Sequence, residues 1–401
     1  MKKLDIRKQE EILQESLQKG IALSELLEEN GFTYDALVYQ SNPTIDPKCM
    51  ISCEVLDDKV IPDADIPAVS FFSGAGGLNV GFQYAGFQNK ISIEINEIFC
   101  NTLRKNNPDK LVIGPPQYDG DVRKREELAE ILKRSGIEVP FEGIFHGGPP
   151  CQSFSVAANQ RFNKEGDNFK RRGFDDEEKG MLIFDYIWFI RTFRPKAFLI
   201  ENVSGIMDFD TDGRIKKALS ALEEDGYKIT PPQVVNAADY GVPQNRMRWI
   251  AMGIRGKKPI CFPEPDSQKM PCGSVFKRSL EGVENHVTRE HTASSVSRYM
   301  QLEYGGRDKL GRVDRLNPRL PSKTVIAGGT KGGGRSHLHP FIPRTISVRE
   351  CARLQTFPDW YVFTGATARQ FTQVGNAVPP LLAYKLALKI REAIQADLSD
   401  S

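Results

Sequence analysis

The chain has 401 residues, 40% hydrophobic and 26% charged, the proportions of a globular protein with room for one large domain and a smaller one. No run approaches the ~20 apolar residues of a membrane span, and the basic start MKKLDIRKQEEILQ has no apolar stretch behind it, so neither a membrane helix nor a secretory signal is expected. Net charge is only +2, yet residues 241–355 hold 21 Lys/Arg against 9 Asp/Glu while residues 1–65 hold 7 against 14. A basic block in an otherwise acidic chain is the footprint of a polyanion-binding face.

In chain order, residues 1–40 read as helical, with Ile12, Leu13, Leu17, Ile21, Leu26 and Leu27 near helical spacing. Residues 41–66, with four prolines close by and several aspartates, read as a connector. Ala68–Phe72 is the first apolar strand and runs into a glycine-rich turn that opens a helix. Strands follow at Ile91–Ile95, Ile144–His146, Ala197–Ile200, Tyr227–Val235 and Trp249–Met252, with helices at Glu97–Asn106 and Met181–Phe193. Alternation of strand and helix predicts a doubly wound, mostly parallel α/β sheet with its active residues at the strand ends. Residues 256–345 are rich in Gly, Pro, Arg and Lys and read as a separate loop-rich module, before helices return at 347–357 and 380–396.

Seven cysteines scattered over the chain make a poor disulfide framework and fit a reducing compartment. Cys49 and Cys53 have no second pair of ligands to complete a zinc site, so no metal is expected. Cys151 is different. It stands in Gly147-Gly148-Pro149-Pro150-Cys151-Gln152-Ser153, where two prolines stiffen the chain after a strand and polar residues follow, the setting of an exposed nucleophile. Three further motifs accompany it. Phe71-Phe72-Ser73-Gly74-Ala75-Gly76-Gly77 is a turn that lets backbone approach a nucleotide-like ligand, and Glu94 at the end of the second strand suits a ribose diol. Glu201 closes the apolar strand Phe198-Leu199-Ile200 at the same sheet edge, which suits it to proton exchange. In Gln244-Asn245-Arg246-Met247-Arg248 the alternating arginines place two guanidinium groups on one face, ready for a carbonyl oxygen or phosphate.

With these motifs in this order, and with Arg349–Pro358 and Gln373-Val374-Gly375-Asn376-Ala377-Val378 after them, the sequence resembles the cytosine-C5 DNA methyltransferases over residues 68–395. The resemblance implies that Cys151 attacks cytosine C6, Glu201 holds and protonates N3, Arg248 contacts O2 and Arg246 supports the same pocket. It implies an S-adenosyl-L-methionine site lined by Phe72, Ser73, Gly74, Gly76, Gly77, Glu94, Ile95, Asp121, Pro150 and Asn376, and an active-site loop at about 152–173. It implies a Rossmann-like catalytic domain over 66–256, completed by 368–396, and a small target-recognition domain over 257–367, with residues 1–65 as a helical N-terminal extension.

The partner implied is double-stranded DNA, with the protein acting as a cytoplasmic bacterial monomer beside a cognate restriction endonuclease. An RNA cytosine methyltransferase is the nearest alternative, but the Cys-Phe-Thr tripeptide of the RNA-directed branch is absent from the sequence. A catalytically silent DNA-binding regulator is the other. For residues 1–65 the expectation is a dispensable cap on the catalytic domain or on another protein. A helix-turn-helix over Leu23–Gln40 is disfavoured because acidic side chains stand where a DNA reader needs basic ones.

Overall fold

A computed structural model describes residues 3–42, 55–150, 182–210, 212–327 and 337–399. Its helices are α1 (Ile6–Lys19), α2 (Leu23–Glu29), α3 (Gly77–Tyr84), α4 (Glu97–Asn106), α5 (Arg125–Arg134) and α6 (Leu182–Phe193). They continue with α7 (Arg214–Glu224), α8 (Ala293–Tyr299), α9 (Val348–Leu354), α10 (Thr367–Asn376) and α11 (Pro380–Ser399). The chain forms two compact units, one of Met1–Val55, Gly241–Asn245 and Gln268–Asn376, the other of Leu56–Tyr240, Arg246–Ser267 and Ala377–Ser401.

The second unit holds the main sheet. Its strands are β1 (Ile66–Phe71), β2 (Phe87–Ile93), β3 (Leu111–Ile113), β4 (Ile144–Gly147), β5 (Ala197–Val203), β6 (Lys228–Asn236) and β7 (Met247–Ile254). Among the described residues they lie in the order β3-β2-β1-β4-β5-β7-β6. β1 to β5 are parallel, and β7 runs antiparallel to both of its neighbours. The winding direction reverses between β1 and β4, so the carboxyl ends of these two strands flank the crevice where such sheets bind ligands. Because β7 is reversed, its first residues arrive at that same edge, with Arg248 paired to Val203.

Period-two alternation decides which face each strand side chain covers. Val69, Phe71 and Phe145 join the aromatic core with Tyr186 and Phe189 of α6, and the Phe71 ring lies 5.0 to 5.1 Å from the other three rings. His146 faces the other way and stacks on Phe82 of α3 at 4.3 Å. On that side α3 approaches α11 closely: a Cβ on Gly81 would stand 2.4 Å from the Cβ of Ala383. The strands run longer than their apolar cores indicate. β3 carries no clear signal in the sequence, since a three-residue strand is too short to display a period; α5 and α7 escaped the reading although Leu128 and Leu132, and Ile215, Leu219 and Leu222, recur at helical spacing.

In the first unit, the helical pattern of residues 1–40 breaks at Gly20, whose φ of 69° ends α1. The expectation of a cap on the catalytic domain is corrected here. Leu4, Ile12, Leu13, Leu23, Leu26, Leu27 and Leu37 share a core with Ala293 and Val296 of α8, Met300 and Ile342. A helix-turn-helix is not formed either, since α2 is followed by a single 3-10 turn at Tyr34–Ala36 rather than by a recognition helix.

Candidate active site

β1 ends in a turn whose backbone takes the left-handed region at Phe72 (φ 50°), Gly74 (φ 55°) and Gly76 (φ 80°) before α3 begins at Gly77. A bulky residue there is unusual and marks a turn held by its surroundings. Gly77 has no room for a side chain, since a Cβ would lie 2.2 Å from the Val378 carbonyl oxygen. The Ser73 amide donates to the Ile93 carbonyl at 3.0 Å. Buried Glu94 accepts from the Gly74 amide through one oxygen and from the Asn96 amide through the other, each at 2.8 Å. Burial pushes the Glu94 carboxyl above its ordinary value, while the Asn96 and Gly74 N–H groups pull it back.

The Gly120-Asp121 turn packs on the same residue: a Cβ on Gly120 would stand 2.3 Å from the Glu94 carbonyl oxygen. Asp121 is half-buried and paired with Arg123 at 2.7 Å, whose hydrogen bonds hold its carboxyl below the usual carboxylate range. Ile95 and Pro150 are exposed apolar side chains at this edge and Phe72 is partly exposed.

Beneath the turn lies a buried polar chain. Ser73 Oγ donates to Ser70, Ser70 Oγ to Asn79 Oδ1, and Asn79 Nδ2 to Ser92 Oγ, each at 2.9 Å. It ties the turn to α3 and to β2 just before Glu94. Sequence reading missed Asn79; an amide inside the apolar stretch Gly77–Tyr84 is the signal that marks it.

On the neighbouring strands, buried Glu201 of β5 accepts from Arg248 Nε at 2.6 Å. Burial lowers the Arg248 guanidinium and Glu201 opposes that shift. Arg246 departs from the expected open face. It is 2% exposed just before β7, and burial together with the Arg248 charge lowers it well below its ordinary value. Enclosed there, its guanidinium is not presented to solvent as an anion ligand, although Met247 beside it is 45% exposed.

β4 delivers the glycine-proline stretch to the same place. A Cβ on Gly148 would lie 2.5 Å from Glu201 Oε2, and Asn202 Nδ2 donates to the Pro149 carbonyl at 3.2 Å. Glu201 and its neighbour on β5 therefore grip the backbone leading to Cys151, a role for Gly148 and Asn202 that only contact reveals. Cys151 itself, and the loop 152–173, lie outside the described residues. Asn376 is exposed, at the end of α10 and of the first unit. Among the described residues no His, Cys, Asp or Glu cluster could hold a metal, and no helix is long and apolar enough to cross a membrane.

The C-5 cytosine-specific DNA methylase family model matches residues 66–392. The chain belongs to this family. It is a DNA cytosine-5 methyltransferase, and the RNA reading gives way to DNA as substrate. The methylase is 32% identical over 338 residues to a Type II methyltransferase of Haemophilus parahaemolyticus, M1.HphI, covering 80% of this chain and 85% of the relative. It is 32% identical over 356 residues to M.FnuDI of Fusobacterium nucleatum, covering 81% and 94%. A solved prophage-encoded DNA modification methyltransferase of E. coli shares the fold with a TM-score of 0.65 at 24% identity, over 82% of this chain and all of that one. Residues 3–42 precede the matched span.

Proposed function

We propose that this methyltransferase modifies a cytosine flipped out of duplex DNA, with Cys151 as nucleophile and S-adenosyl-L-methionine as methyl donor, within a bacterial restriction-modification system. The observation that carries the reading is the Glu201–Arg248 pair at 2.6 Å, seated against Gly148 three residues before Cys151. That arrangement sets a carboxyl group and a guanidinium beside the backbone that leads to the thiol. Cytosine C5 is a poor nucleophile by itself. Addition of the Cys151 thiolate to C6, with Glu201 giving a proton to N3, makes C5 an enamine carbon. In this reading Arg248 steadies Glu201 and contacts the base's O2, and buried Arg246 supports the same pocket. After methylation, loss of the C5 proton and of the thiol restores the ring.

The cofactor fit rests on the turn. Backbone in the left-handed region at Phe72, Gly74 and Gly76 turns the chain, and at Gly74, where a Cβ would meet nothing nearer than 4.0 Å, it leaves main chain open to a ligand; Gly77 belongs to the set as the residue that lets α3 pack on the Val378 carbonyl. Glu94 has one backbone donor on each oxygen and keeps lone pairs for a ribose diol. Ser73, Ile95, Asp121, Pro150 and Asn376 complete the proposed set. Bound there, S-adenosyl-L-methionine would supply the methyl group. The basic residues of 256–345 would meet DNA phosphates and read the target, so affinity should fall steeply with salt. The protein would act as a cytoplasmic monomer, paired with an endonuclease of the same specificity; the Type II designation of its relatives supports that context.

DNA carrying 5-fluorocytosine tests the chemistry, because fluorine cannot leave as the C5 proton does. A covalent protein–DNA adduct is expected with the native chain and none with Cys151→Ala. An adduct formed by the alanine variant would assign the nucleophile elsewhere.

A further inference from the structure

Residues 3–42 carry acidic and amide groups that close the interior of the first unit. Arg344 is 1% exposed. Its Nε donates to Asp35 Oδ1 at 2.6 Å, and its two terminal nitrogens donate to the Glu350 carboxylate at 2.8 Å each. The other Asp35 oxygen meets His286 Nε2 at 3.0 Å, and His286 Nδ1 meets Ser347 Oγ, the hydroxyl that caps α9. A second anchor lies nearby in the sequence. Arg315, fully buried, has its guanidinium 3.5 Å from the Tyr39 ring centroid and 4.3 Å from that of Tyr304. It donates to Asn42 Oδ1 at 2.7 Å and to the carbonyls of Ser41, Leu302 and Pro340. Tyr39 in turn donates to the His339 carbonyl at 2.8 Å.

Both arginines belong to the basic block, and in both cases the N-terminal segment adds acceptors to those of the block: Asp35 beside Glu350 for Arg344, and Ser41 and Asn42 beside the Leu302 and Pro340 carbonyls for Arg315. Removing Asp35 leaves Arg344 paired with Glu350 but strips the acceptor from its buried Nε, and an unmet buried donor is costlier than a lost surface pair. We infer that residues 34–42 are a positioning element of the DNA-recognising unit, with Asp35 as its principal positioning residue. They hold the chain around 302–315 and 337–350 in place, and DNA affinity depends on them. The inference rests on the reading of this unit as the one that meets DNA, and it reverses the expectation that the N-terminus is dispensable.

The test uses the full chain with Asp35→Ala, Asp35→Asn and Asp35→Glu, and a separate Lys309→Ala/Arg312→Ala variant at two exposed cations of the same unit. For each, the KM for duplex DNA, kcat at saturating DNA and the Kd for S-adenosylmethionine are measured. Asp35→Asn keeps the shape and one acceptor while removing the charge, so it stays informative if the alanine variant fails to fold. The expected result is a tenfold or greater rise in DNA KM for Asp35→Asn, with kcat within threefold, cofactor Kd within twofold, and substantial recovery in Asp35→Glu. A normal DNA KM in Asp35→Asn together with a raised one in the Lys309/Arg312 variant overturns the inference alone. A normal DNA KM in both overturns the reading of the unit and the inference with it.

Discussion

Gly148→Ala puts one carbon where the structure has no room for it. The added Cβ would lie 2.5 Å from Glu201 Oε2, against the 3.4 Å at which ordinary contact begins. Glu201 must therefore retreat by about 1 Å, and its retreat strains the 2.6 Å contact with Arg248. The clashing atom is the far end of a side chain, so the fold can yield, and the cost in stability should be no more than about 1 to 2 kcal/mol. Turnover is less forgiving. A misplacement of about 1 Å in a reacting group costs roughly 10²-fold, close to 2.7 kcal/mol of transition-state stabilisation. Single-turnover incorporation of labelled methyl groups into duplex DNA, run beside thermal unfolding and cofactor titration, measures the three quantities separately. A folded variant with kcat within threefold of the parent would refute the view that Gly148 exists to seat Glu201.

At Gly77 the neighbour is backbone and cannot give: Gly77→Ala sets a Cβ 2.2 Å from the Val378 carbonyl, so stability should fall by about 1 to 3 kcal/mol and cofactor affinity by tenfold or more, as read by urea unfolding and calorimetry. Glu94→Ala removes the acceptor of two backbone N–H groups and should weaken cofactor binding by about 1 to 3 kcal/mol with kcat at saturation nearly unchanged; equal losses in both would merge the cofactor and catalytic roles. His146 has no hydrogen-bond partner on either ring nitrogen among the described residues, and burial lowers it from 6.5 to about 3. Its folded value lies below its unfolded one, so the stability of its neutral form is present above pH 6.5 and is lost as pH falls towards 3. His146→Phe, which preserves the stack on Phe82, should spare about 2 kcal/mol of the stability lost between pH 8 and pH 5; identical losses in parent and variant would rule the ring out as the source.

Much of the second unit was legible in the residues. Apolar runs with period two place the strands. Glycines with positive φ mark the turn after β1, and two prolines after a strand mark the approach to Cys151. Each is a local property: backbone sterics and side-chain alternation act between residues a few positions apart. The reversed β7 was not legible, and it is β7 that brings Arg248 to Glu201, because strand direction depends on which neighbour completes the sheet. Gly148 was visible as part of a motif, but its reason, the carboxylate of residue 201 against it, is a contact between two strands. The N-terminal segment shows the limit most clearly. Its acidic balance argued against a helix-turn-helix, and none forms over Leu23–Gln40, yet charge composition carries no address. That Asp35 joins Glu350 around Arg344, 309 positions away from Asp35, was decided only when the folded chain brought all three together.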